Sequence, residues 1–186
     1  MPDILETERM RLRPLVLDDA PFLFEMDCDP EIMRYILPRF DPPASEEPAR
    51  EWISLQTTRY SAVGSRYGVF AAIEKATGDF IGWFLLRPAT DHRFAAEVGF
   101  RADELELGYR FRRAFWGRGL ATEGATALVE YAAADASVAA VVAVALEDNV
   151  ASTRVMEKAG LVFRAECALP GYPTPGVTYR LPLGGS

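Results

Sequence analysis

The sequence predicts an α+β fold, an α/β three-layer arrangement with helices around a mixed sheet, and three stretches predict it. The first runs from Glu106 to Glu123, where an alternating apolar segment reaching Phe111 passes through a short basic turn into Trp116-Gly117-Arg118-Gly119 and then into an amphipathic segment. That order reads as strand, glycine turn and helix. The second is residues 138–146, Val-Ala-Ala-Val-Val-Ala-Val-Ala-Leu, which lacks polar alternation, as a strand covered on both faces does. Strand, helix and buried strand in succession make a right-handed parallel crossover. The third is the pair of runs Tyr67–Glu74 and Phe80–Arg87 around Lys-Ala-Thr-Gly-Asp, an antiparallel hairpin with glycine where a positive φ is needed.

The remaining elements follow in order. Residues 7–16 alternate apolar and charged side chains around Met10 and Leu12, as a half-buried first strand does. Asp18-Asp19 supplies an N-cap for a helix carrying Phe22, Leu23 and Met26, and Asp29-Pro30-Glu31 starts a short second helix with Ile32, Met33, Tyr35 and Ile36 behind it. Between Pro38 and Pro48 lie four prolines with charged neighbours, an irregular loop. Ser45 then caps a helix to about Ser61, with Trp52, Ile53, Leu55, Gln56 and Tyr60 at helical intervals. Residues 88–105 show no period, although Glu97-Val98-Gly99-Phe100 echoes Glu106-Leu107-Gly108-Tyr109. From Gly119 to about Ala134 an apolar stripe of Leu120, Ala121, Ala125, Leu128, Val129 and Ala132 marks a helix that packs on the sheet. Asp148 or Asn149 caps the next helix and Gly160 ends it, and Leu161–Glu166 and Val177–Leu183 are closing strands around a loop at 170–176.

Composition sets limits on function. A chain of 186 residues, 49% hydrophobic and 25% charged, fits one domain spanning 1–186. A net charge of −7 argues against nonspecific nucleic-acid or anionic-membrane partners and favours a cationic one. Against that overall sign, Arg110, Arg112, Arg113 and Arg118 cluster at the glycine turn, and at least one of them is expected to be only the solvated face of a strand. Cys28 and Cys167 match no metal spacing and read as reduced thiols of a cytoplasmic protein. The single histidine, His92, lies in the polar run Thr90-Asp91-His92-Arg93 and reads as a surface loop residue, so no metal site is expected. No apolar run has the length of a signal peptide or a membrane span. The opening turns of a helix carry unpaired N–H groups and partial positive charge, so glycines at residues 117 and 119 offer a phosphate site.

Trp116-Gly117-Arg118-Gly119-Leu120-Ala121 resembles the acetyl-coenzyme A loop of the GNAT superfamily N-acetyltransferases, with Trp116 where most branches carry Gln or Arg. That tryptophan, and Asp-Pro-Glu-Ile-Met-Arg-Tyr at residues 29–35, are similar to the RimJ/RimL-type branch, the ribosomal-protein N-terminal acetyltransferases. A second signature, from Asn149 through Ser152 to Glu157-Lys158-Ala159-Gly160, stands in the expected order behind the first. The resemblance covers nearly the whole chain. It implies a mostly antiparallel, twisted sheet with helices on both faces, and a central parallel strand pair splayed at the cofactor site.

It also implies a reaction: acetyl transfer from acetyl-coenzyme A, as co-substrate, to a primary amine on a small molecule or peptide N-terminus, without a covalent enzyme intermediate or a metal. By position, the backbone at Phe111 holds the pantetheine arm, and the amides of Trp116, Gly117, Arg118, Gly119, Leu120 and Ala121 hold the pyrophosphate. Arg112, Arg113 and Arg118 add charge-assisted bonds, and Asn149 contacts the arm from the other side or serves as a helix cap, or both. Glu106 is the candidate general base, or a carboxylate that binds a cationic acceptor. Met156 stands where many relatives use a tyrosine acid, and a thioether cannot donate a proton, so Ser152 is the candidate acid. A non-catalytic module binding coenzyme A or a peptide, and a transferase of longer acyl groups, are the alternatives. The protein is expected to be a monomer or homodimer.

Overall fold

In the computed structural model residues 4–61 and 66–184 are described; residues 1–3, 62–65 and 185–186, which the single-domain expectation includes, lie outside these. In chain order the elements are β1 (Leu5–Glu6), β2 (Met10–Pro14), α1 (Ala20–Asp27), α2 (Pro30–Met33), α3 (Glu47–Ser61), β3 (Gly68–Glu74), β4 (Phe80–Pro88), β5 (Glu104–Phe111), α4 (Leu120–Ala133), β6 (Ala140–Leu146), α5 (Val150–Lys158), β7 (Val162–Cys167) and β8 (Gly176–Pro182). The strands form one mixed sheet in the order β1-β2-β3-β4-β5-β6-β8-β7. Two compact units emerge: the chain up to Leu85 with Tyr109–Leu120, and Leu86–Gly108 with the chain from Ala121 onward.

In the first unit the expected opening strand is two short strands. Thr7 turns the chain, accepting from the Met10 amide on its hydroxyl at 3.0 Å and donating its own amide to the Met10 carbonyl at 2.9 Å. β2 then pairs antiparallel with β3, from Met10 opposite Glu74 to Pro14 opposite Phe70, and its alternation buries Met10 and Leu12. Asp19 does not cap α1. Its carboxylate instead receives the Val16 amide at 2.9 Å and two Arg13 N–H groups at 2.7 Å, which fastens the end of β2 to the tight turn at Leu17–Asp19. Asp29 does cap α2, accepting from the Glu31 amide at 2.9 Å with Pro30 in the first helical position. That helix ends at Met33, so Tyr35 and Ile36 fall outside it. Along α3, Ala49, Ile53, Gln56 and Tyr60 are buried at helical spacing, and Ala49, Ile53 and Tyr60 pack with Leu23, Met26 and Ile73 among others. The turn after β3 is closed by the Gly78 amide on the Glu74 carbonyl at 2.8 Å, with Gly78 at φ 78°, where a side chain would be strained.

The second unit is built on β6, whose residues Ala140 to Ala143 are wholly buried. On one side β6 pairs antiparallel with β8 along its full length, from Ala140 opposite Pro182 to Leu146 opposite Gly176. On the other it pairs parallel with β5 only from Glu104 opposite Ala140 to Glu106 opposite Val142. Both strands continue beyond that point, so the parallel pair parts at Glu106. The stripe of α4 is buried at Ala125, Leu128, Val129 and Ala132. α5 closes in a two-bond cap: the Gly160 amide donates to Glu157 and the Leu161 amide to Met156, both at 3.0 Å, with Gly160 at φ 92°. β7, at the edge of the sheet, shifts register by a bulge between Phe163 and Ala165. Of the segment 88–105, which shows no period in sequence, Pro88 ends β4 and Glu104 and Leu105 begin β5; between them lies a single helical turn at Ala89–Asp91 followed by further turns, held by Ala89, Val98 and Phe100 packed with Val142.

Candidate active site

The glycine loop begins where β5 ends. Arg112 donates its amide to the Ile81 carbonyl at 2.9 Å, and the Trp116 indole N–H reaches back to the Phe111 carbonyl at 2.8 Å. These bonds fix the turn that leads to Gly117 and Gly119, at φ 72° and 76°, where only glycine sits without strain. An added Cβ at Gly117 would meet nothing within 4 Å, so the approach to its backbone is open. The amides of Gly117, Arg118, Gly119 and Leu120 have no backbone partner among the described residues. Consecutive free N–H groups ahead of a fourteen-residue helix make an anion cradle.

None of the four arginines is a bare strand face. Arg110 is buried against Asp27 at 2.7 Å and lies over the Trp83 ring, 5.2 Å from its centroid. Arg112 holds Glu25 at 2.8 Å and the Phe80 carbonyl at 3.0 Å. Arg113 pairs with Asp29 at 3.3 Å and Arg118 pairs with Glu74. Arg113 and Arg118 stay about half exposed, at 60% and 44%, and can offer N–H groups to a phosphate. Arg110 and Arg112 are committed within the fold.

Glu106 is the last β5 residue paired with β6 and is buried. Its Oε2 accepts a hydrogen bond from the Nε of Arg87 at 2.8 Å, and the Nη2 of the same guanidinium lies 2.8 Å away in the ion pair. Oε1 has no hydrogen bond among the described residues; the Nε2 of His92 stands 3.9 Å away, beyond hydrogen-bond reach. Burial pushes the Glu106 carboxyl above its usual range; Arg87 pulls the other way without overcoming it, and Asp91 adds to the rise. The expectation for His92 fails: it is a packed residue, its ring 5.7 Å from Phe100 and 5.9 Å from Phe94. Burial first, then the charges of Arg87 and Arg93, lower its pKa to about 4. The Phe94 amide donates to Nδ1 at 3.1 Å, so the neutral ring carries its proton on Nε2. Sequence reasoning missed both Arg87 and His92. A single histidine beside several charged residues was the signal available, but its burial comes from aromatic neighbours in a segment without periodicity.

Asn149 caps α5, its Oδ1 accepting from the Ser152 amide at 3.2 Å. This accounts for its oxygen and leaves its NH₂ group to donate. Ser152 is half-buried in the first turn of α5, and Met156 is buried one turn further on. Ala121 follows Leu120 in the first turn of α4. Thus Glu106 gathers Arg87 and His92, Asn149 gathers Ser152, and the loop from Phe111 to Leu120 forms its own cradle. Among the described residues no cluster of His, Cys, Asp or Glu could hold a metal ion, both cysteines are free, and no helix is long and apolar enough to cross a membrane.

Residues 9–162 match the family model described as acetyltransferase (GNAT) domain. The chain is 33% identical over 171 residues to FsC-acetyl coenzyme A-N(2)-transacetylase of Aspergillus fumigatus, covering 92% of this chain and 69% of that one. It is 30% identical over 158 residues to the uncharacterized protein YkkB of Bacillus subtilis, covering 84% of each. Among solved structures, a GNAT-family acetyltransferase from Bacillus anthracis aligns with a TM-score of 0.75 at 21% identity over 96% of this chain and 97% of that one. RimL, a ribosomal L7/L12 α-N-protein acetyltransferase solved with coenzyme A, aligns with a TM-score of 0.74 at 16% identity over 98% of both. At these identities the two structures speak for the fold.

Proposed function

Because the chain belongs to the GNAT acetyltransferase family, we propose that it moves an acetyl group from acetyl-coenzyme A to a primary amine, on a small molecule or a peptide N-terminus, by direct attack of the amine on the thioester. The observation that carries this reading is Glu106: a buried carboxylate with raised pKa, one oxygen clamped by Arg87 and the other without a hydrogen bond among the described residues. A carboxylate made more basic by burial is better matched to an ammonium group that must lose a proton before it can attack. The A. fumigatus relative, whose name specifies acetyl coenzyme A and a nitrogen acceptor, supports the same reaction, and the net charge of −7 suits a cationic acceptor.

Each residue then has a role. The amides of Trp116 to Ala121 and the half-exposed Arg113 and Arg118 bind the pyrophosphate, and the backbone at Phe111 and the Asn149 NH₂ hold the pantetheine arm. Ser152 gives the departing thiolate its proton. Residues 1–186 act as one acetyltransferase domain in the cytoplasm, as a monomer or homodimer.

A mass-spectrometric acetylation screen of N-terminal peptide libraries beside small amines, run with a thiol-release assay, tests the proposal. Acetylated products with stoichiometric thiol release are expected. Coenzyme A binding without product would make the chain a binding module, and turnover only with a longer acyl thioester would change the donor.

A further inference from the structure

Arg87 and His92 come from the end of β4 and the turns that follow it, and both face the one buried carboxylate to which the reaction assigns proton transfer. Arg87 directs Nε and Nη2 to the same oxygen, each at 2.8 Å. A guanidinium fork usually spans both oxygens of a carboxylate; here it saturates one and leaves the other to chemistry. His92 closes the opposite side at 3.9 Å from Oε1, its ring held by the Phe94 amide on Nδ1 and by the faces of Phe94 and Phe100.

Resting on Glu106 as the base, we propose that Arg87 and His92 are positioning residues, Arg87 fixing Oε2 by its Nε–H and the close guanidinium charge and His92 turning a neutral Nε2–H toward Oε1, so that Oε1 alone receives the proton of the acceptor amine. In that step one proton passes from the ammonium nitrogen to Oε1, leaving a neutral amine and a neutral carboxylic acid. The nitrogen lone pair then forms the C–N bond as the C–S pair leaves with sulfur. A second nitrogen proton is lost as the thiolate gains one, and Glu106 returns its proton to water.

Neutrality of the imidazole matters. A protonated ring beside Oε1 would stand with Arg87 as a second cation and hold the carboxylate ionised, weakening it as a base. The charged groups facing this pair are Arg87 from β4 and Asp91 and Arg93 from the following turns: Arg87 and Arg93 oppose protonation of His92, and Asp91 supports the raised pKa of Glu106.

His92 is the only histidine in the chain, so the ring nitrogens of histidine-labelled protein report this residue without ambiguity in a ¹⁵N spectrum. The expected spectrum shows the Nε2–H tautomer titrating near pH 4, with a midpoint that rises when Arg87→Gln removes a cation. The same variant should move the acid limb of kcat up by about one pH unit or more. Arg87→Lys keeps the charge and loses the fork; it should leave the acid limb in place and lower kcat roughly tenfold with KM for the acyl donor unchanged. A histidine titrating near the ordinary value of about 6.5 in wild type and Arg87→Gln alike overturns the proposal, whether or not an amine is turned over. So does an Arg87→Gln enzyme with the wild-type acid limb. The base reading beneath it fails separately, through a Glu106→Gln enzyme of wild-type rate.

Discussion

Glu104 and Glu106 point to the same face of β5, two residues apart, and each meets an arginine, yet they are built for different ends. Glu104 is enclosed, with Arg180 Nε on Oε1 at 2.8 Å and the Arg101 amide on Oε2 at 3.0 Å, so each oxygen has a donor. Glu106 has Arg87 on Oε2, through the Nε–H and the ion pair, and no hydrogen bond on Oε1 among the described residues. Burial alone therefore does not mark a reactive carboxylate. The distribution of donors over the two oxygens is what separates the pair: Glu104 has a donor on each oxygen, and Glu106 leaves Oε1 without a hydrogen bond among the described residues, the arrangement that the proposed base requires.

The sharpest way to break this comparison is to neutralise each acid in turn. Glu106→Gln should lower the rate of acetyl transfer by about 10²–10⁴-fold while calorimetric affinity for coenzyme A is retained. Glu104→Gln should leave the pH-rate profile alone and cost about 2–3 kcal/mol of stability in urea unfolding, since Arg180 loses its anion; a larger effect on rate than on stability would reverse the two assignments. Acid provides the smallest test. The folded His92 takes its proton only near pH 4, whereas an unfolded histidine takes one near 6.5. Between those values the unfolded chain binds the extra proton, so this stabilising contribution is complete above about pH 6.5 and is lost as the pH falls toward 4. His92→Phe should lose less stability than wild type over that window, measured by urea midpoints at several pH values.

The sequence spells out what local physics decides. The turn at Gly78, the cap of Asn149, the stop at Gly160 and the unbroken apolar run of β6 each depend on one residue's backbone preference or on a period of a few residues, and each stands where it was expected. The positive φ of Gly117 and Gly119 follows from the same local physics, whereas Glu106 is singled out only by its place in a family motif. What escaped is non-local. The oxygen of Glu106 is chosen by Arg87, nineteen positions earlier, and Arg118 finds Glu74 forty-four positions away. Such pairings leave no trace in periodicity. His92 was misread because a polar neighbourhood in sequence says little about aromatic neighbours in space, and Asp19 because a carboxylate ahead of a helix met a guanidinium in Arg13 that outbid the helix amide for its oxygens.

The bulge in β7 bears on how the protein behaves in concentrated solution. An outermost strand offers unsatisfied main-chain groups to any other strand that drifts alongside, and here it begins with Val162 and Phe163, 66% and 52% exposed. Directly after this sticky pair the register slips, between Phe163 and Ala165, and Arg164 and Glu166 follow with their charges. An incoming strand therefore meets a strand made irregular at Arg164, with the charges of Arg164 and Glu166 close behind the apolar pair. The irregularity at this rim accordingly works against edge-to-edge association of the folded chain.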